Sequence, residues 1–96
     1  MAEEQKRGAG FVMQPTRIEF TTFVLGLAHT SLIHLGDAPH PETGRKQTDL
    51  ALARESIELL TLLREKTRGN LTAEEERVFE DVLARLRLRY VEASKQ

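Results

Sequence analysis

The residues best able to do chemistry lie in one passage: His29, His34, Asp37, His40 and Glu42. Imidazole nitrogens and carboxylate oxygens are the donors that zinc and iron take. The spacing argues against a metal held on one helix. His29 and His34 lie about 140° apart around a helical axis, whereas two ligands on one face need i,i+3 or i,i+4 spacing. His34, His40 and Glu42 form the candidate ligand set for a metal or small anion, with His40 and Glu42 able to fold back from a loop. The plainer expectation is that His29 packs, His34 sits near a helix end where a cation is favoured, and His40 is solvated. No cofactor is expected.

The second candidate is Glu65-Lys66-Thr67-Arg68-Gly69-Asn70. It puts cations at the end of one helix, just before the N-terminus of the next, whose free N–H groups can take an anion. Lys66 and Arg68 serve equally as caps for the last carbonyls. With Arg85, Arg87 and Arg89 they are the candidate contacts for phosphate or RNA. Those three arginines step about 200° per two residues, so they spread around a helix and make no single basic face. No set of aromatic residues for base stacking accompanies them. With 14 basic and 15 acidic residues, the charge balance gives no reason to expect nucleic acid or a membrane surface.

Catalysis has no carrier. There is no glycine-rich phosphate loop and no serine in a nucleophile motif. Glu74, Glu75 and Glu76 read as a solvated first helical turn. The absence of cysteine removes disulfides, thiolate metal sites and thiol nucleophiles, and it fits a reducing, cytoplasmic setting. The expectation is a protein that is not an enzyme.

Three helices position these residues, at about 17–35, 48–67 and 73–92. Thr16 with Glu19 has the spacing of a capping box and opens the first, and Gly36 is suited to stop it. Thr48 or Asp49 opens the second, and Gly69 closes it in the left-handed conformation. Thr72 with Glu75 is a second capping-box pattern. Acids then crowd the start of the third helix and arginines its end, as the helix dipole favours. Residues 1–15 read as a flexible N-terminal arm, 16–93 as a single helical domain, and 94–96 as a frayed tail. Between the first two helices, Gly-Asp-Ala-Pro-His-Pro-Glu-Thr-Gly has the residues of turns.

The apolar residues exceed what a three-helix monomer can bury. In the second helix they cover an arc of roughly 240°, against a little over 100° for an ordinary surface helix. It is therefore expected to be the central helix. Residues 18–35 of the first helix carry Glu19 as their single charge and are apolar on nearly all sides. Its threonines, serine and histidines interrupt the run of ~20 apolar residues that a bilayer span takes, so no membrane span is expected. The third helix has one stripe, Val78, Phe79, Val82, Leu83, Leu86 and Tyr90, with Leu88 and Val91 off it. The expected outcome is an all-α unit completed as a homodimer or higher homo-oligomer. Its interface would be built from Phe20, Phe23, Leu27, Leu52, Leu59, Leu63 and Leu88.

Residues 20–93 also resemble the bacterial family numbered 1844 among domains of unknown function. The resemblance is carried by His34-Leu35-Gly36, Pro41-Glu42-Thr43-Gly44, Asp49-Leu50 with Ala53, Glu65-Lys66-Thr67, Gly69-Asn70-Leu71-Thr72, Glu75-Glu76, and Leu86-Arg87 before Tyr90-Val91. It implies a small, cytoplasmic, helical protein and brings no catalytic residues. It also brings in a translation-associated role as a third reading, with ribosome or RNA as the partner. The leading expectation is a homo-oligomeric interaction module whose other protein partners are unknown. The metal or small-anion site at the first loop is the alternative.

Overall fold

The computed structural model of the protein describes residues 19–95. The expected arm over 1–15, Thr16 and Gln96 lie outside the described residues. The chain forms three helices, α1 (Phe20–Leu35), α2 (Leu50–Lys66) and α3 (Ala73–Ser94), in an all-α unit. Among the described residues no helix is long and apolar enough to cross a membrane.

The start of α1 differs from the expectation. Glu19 has an extended backbone and stands at the N-cap itself, with no side-chain capping bond, so it cannot close a box from inside the first turn. A glutamate is too long to fold back onto the neighbouring amides as Asp or Ser does. The other end is as expected. Gly36 takes φ 84, and the amides of Gly36 and Asp37 return to the carbonyls of Ile33 and Leu32 at 3.1 and 2.9 Å. That pair of bonds satisfies the last turn as a Schellman closure does.

Two bonds then clamp the ends of the α1–α2 loop together. Thr48 Oγ1 donates to the carbonyl of Leu35 at 3.4 Å, and the Asp49 amide donates to that of His34 at 2.7 Å. A Cβ on Gly36 would meet Thr48 Oγ1 at 2.5 Å, so glycine is required both by its backbone and by this close approach. Asp49 accepts from the Leu52 amide at 3.1 Å and caps α2. Thr67 Oγ1 donates to the Leu63 carbonyl at 2.8 Å at the other end, and Gly69 follows with φ 87. The capping box of α3 is complete: Thr72 Oγ1 accepts from the Glu75 amide at 3.1 Å, and Glu75 Oε1 accepts from the Thr72 amide at 2.9 Å. Ser94, expected in the tail, is the last helical residue, and Lys95 caps it.

The core draws on all three helices: Val24, Ala28 and Leu35; Ala53, Ile57 and Leu60; Phe79, Leu83 and Leu86. Full burial of each large member stabilises by roughly 1.5–3 kcal/mol. Phe20 joins it by packing on Phe79, ring centroids 5.8 Å apart. Ser31 is the buried polar residue of α1, and its hydroxyl donates to Leu27 O at 3.2 Å within its own helix. Each helix packs on both others, so α2 is not the central element. It buries Ala53, Ile57 and Leu60 on one side and leaves Leu52, Leu59 and Leu62 exposed. The broad apolar arc was read correctly, but α1 and α3 cover only part of it.

Candidate interaction surface

The apolar excess can be placed by following which flank of each helix meets α3. The groove between α1 and α3 is lined by Leu25, His29 and Leu32 of α1. The groove between α2 and α3 is lined by Arg54, Glu58, Thr61 and Leu62 of α2. The flanks turned away from α3 are therefore the opposite ones. On α1 that flank carries Phe23, Leu27, Thr30 and His34, and on α2 it carries Leu52, Ser56, Leu59 and Leu63, both at i, i+4, i+7, i+11 spacing. Because the Leu35–Thr48 and His34–Asp49 bonds pin the helices antiparallel, the two flanks lie side by side and form one face. Phe23 is 50 % and Leu59 56 % exposed on it. None of these eight residues is Asp, Glu, Lys or Arg, and exposed Glu55 and Lys66 border the α2 row.

This face contains Phe23, Leu27, Leu52, Leu59 and Leu63 of the expected interface, with Leu27 and Leu63 also packing on the core. Phe20 sits where face and core meet, 6.2 Å from Phe23 between ring centroids. Leu88 does not join them; it is 60 % exposed on the outer side of α3. Val91, read with Leu88 as a second apolar spot on the third helix, is exposed as well, and two further exposed residues were not singled out from the sequence as interface: Leu25 and Leu62. Their helical phase was available, but only the packing of three axes shows that those phases face solvent.

The grooves differ in character from the face. That between α2 and α3 encloses about 620 Å³ over Ile57, Tyr90 and Val91, and its charges are spoken for. Arg54 pairs with Glu58 at 3.0 Å, and Arg87 Nη2 donates to Thr61 Oγ1 at 3.0 Å. Thr61 in turn donates to the Ile57 carbonyl at 3.0 Å. That between α1 and α3 encloses about 680 Å³ and mixes Leu25, Leu32 and Val82 with His29, Asp81 and Arg85. Its end is closed by a two-pronged bridge: Arg89 Nε and Nη2 reach the two oxygens of Asp37, each at 2.7 Å. Arg89 Nη1 also holds Glu92 at 2.7 Å. The Arg89 hydrogen bonds hold the Asp37 carboxyl below its ordinary range, partly opposed by burial. The same bonds from Asp37 and Glu92 push Arg89 further up.

The model of the family described as Domain of unknown function (DUF1844) covers residues 17–92. The chain belongs to this family. No curated protein and no solved structure matches it.

In this DUF1844 chain the other candidate residues do not converge. His40 Nδ1 accepts from the Glu42 amide at 3.1 Å, which occupies one of its two ring nitrogens. Arg45 and His40 are joined through the backbone at 2.8 Å, so this part of the loop folds on itself. The carbonyl of half-buried His34 is taken by Asp49. Among the described residues no three His, Asp or Glu side chains gather as a metal would need. The candidate phosphate contacts divide between two ends of the unit. Lys66 and Arg68 lie beside the start of α3, with Arg68 bound to Glu65 at 2.7 Å. Arg85, Arg87 and Arg89 lie beyond its midpoint, ~18 Å or more along the axis at 1.5 Å per residue. Arg89 and Arg87 are already engaged, the one by carboxylates and the other by Thr61.

Proposed function

We propose that this DUF1844 protein is a non-enzymatic interaction module that self-associates, as a homodimer or higher homo-oligomer, through the face shared by α1 and α2. The observation that carries the reading is the single face holding Phe23, Leu27, Leu52, Leu59 and Leu63, apolar at its centre with Glu55 and Lys66 at its α2 edge. Exposed apolar surface of this kind marks an interface. An apolar centre fits its own copy, because a two-fold contact sets like against like and would bring equal charges there together. The absence of cysteine supports a reducing, cytoplasmic setting.

The test is Leu59→Lys. Leu59 is exposed in the single chain, so the folded unit tolerates lysine within about 0.5 kcal/mol. An ammonium buried without a partner in an interface costs roughly 3–5 kcal/mol, or about a hundredfold or more in association. Light scattering should show an oligomer for the natural protein and a folded monomer for the variant. Leu88→Lys, outside the face, should keep the natural mass. An oligomer indifferent to Leu59→Lys would remove this face from the contact.

A further inference from the structure

The outer ridge of α2 carries Glu55, Leu59, Leu62 and Lys66. At ~100° per residue the four fall within about 60° of arc, so they form one line along the helix. Leu59 is 56 % and Leu62 53 % exposed. Leu59 belongs to the face shared with α1, and Leu62 stands at the lip of the groove toward α3. Glu55 and Lys66 are exposed at the two ends of the line. The arginines of this stretch are already engaged: Arg54 with Glu58, Arg64 with Glu76 and Glu80, and Arg68 with Glu65. Among the described residues neither Glu55 nor Lys66 has an ion-pair partner.

The spacing along this line is symmetrical, i, i+4, i+7, i+11, with an acid at one end and a base at the other. Turned end for end, the line keeps its two leucines in place and exchanges its charges. We propose that α2 packs antiparallel against α2 of a second copy, about a two-fold axis between Leu59 and Leu62, with Glu55 of each copy paired to the partner's Lys66. Each Leu59 then lies against the partner's Leu62. The charges stand about 8 Å along the helix on either side of the axis, at 1.5 Å per residue. There their long side chains span the 8–10 Å between packed helices and close the ends of the apolar seam. The inference rests on the self-association reading and supplies its register. The charges select a second copy: an apolar partner in general carries no acid and base at mirrored positions, whereas this chain answers both with its own. They also select the antiparallel pairing, because a parallel one sets Glu55 against Glu55 and Lys66 against Lys66.

Charge reversal reads this register. Glu55→Lys sets lysine against lysine at both ends of the seam, and Lys66→Glu sets glutamate against glutamate. Each should weaken the dimer about tenfold at low salt and less at high salt, where the repulsion is screened. The two variants mixed in equal amounts should associate as tightly as the natural protein, since each then meets its opposite. The double variant, Glu55→Lys with Lys66→Glu, should do so by itself. The readout is light scattering over a dilution series, with circular dichroism checking that every variant keeps its helices. If the single reversals follow the dilution curve of the natural protein while Leu59→Lys dissociates it, the register is overturned and the face stands. Reversals that weaken association and are not rescued by mixing overturn the register as well. A natural protein that stays monomeric throughout overturns both.

Discussion

Helices α1 and α3 share one core yet treat solvent in opposite ways. The outer side of α3 carries acids in its first turn, a complete capping box at its start, and Arg89 held by two carboxylates toward its far end. Arg64 of α2 is bound to Glu80 at 2.9 Å and Glu76 at 3.6 Å along its flank. Helix α1 has no ionisable side chain except His29 and His34, and no side-chain cap at its start. It exposes Phe23 and Leu25 to about half their area. Inward packing alone does not define a finished surface. A helix can contribute Val24, Ala28 and Leu35 to a core and still leave an apolar side to solvent.

The largest expected effect lies where the two helices meet. Phe79→Ala empties a wholly buried site that also supports Phe20. The loss should be about 3–5 kcal/mol, a large part of the 5–15 kcal/mol available to a small domain. Urea denaturation measures it. An effect below ~1 kcal/mol would mean that α1 and α3 do not share a core. The two helix starts differ by a smaller margin. Thr72→Ala removes the cap of α3 and should cost about 1 kcal/mol. Glu19→Asp gives α1 a side chain short enough to cap and should return about 0.5 kcal/mol. If both substitutions are neutral in denaturant titrations, the helix starts do not differ in the way described.

The smallest effect concerns the strap between the end of α1 and the end of α3. The Asp37 carboxyl is held below its ordinary range by Arg89. Its contribution is therefore fully present above the unfolded value of about 3.9 and is lost as pH falls through the lower folded value. Asp37→Asn should melt a few degrees below the natural protein at pH 7. It should also fall less steeply between pH 4 and 2. Parallel acid limbs in thermal melts would show that the bridge carries no pH dependence.

Much of the fold was legible because its signals are local. Gly36 closes α1 through a backbone that glycine adopts readily, and Thr72 with Glu75 writes a cap within four residues; α2 instead ends on Thr67, with left-handed Gly69 two residues beyond the cap. The start of α1 was misread for the same reason: Thr16 and Glu19 have the spacing of a box, but spacing does not fix where the first turn begins. The interaction face was legible in part. Helical phase grouped Phe23 with Leu27 and Leu52 with Leu59, since each pair lies on one helix. Leu88 was set with them although α3 carries it elsewhere. Leu25 and Leu62 were passed over, because exposure depends on how three axes cross. The Asp37–Arg89 bridge joins side chains far apart in sequence, and nothing near either residue announces the other.

The clamp at the base of the α1–α2 loop has a consequence for the chain's tolerance of change. Thr48 and Asp49 fasten to Leu35 and His34 below the loop, while Asp37 and buried Ala38 hold its first residues. Residues 41–47 are exposed and lie outside all of these fastenings. Extra residues inserted there lengthen a loop whose ends are already closed, and each doubling of its length costs only about 0.6 kcal/mol. That tip is where the protein can acquire or lose sequence, or carry a fused peptide, without disturbing the helices beneath.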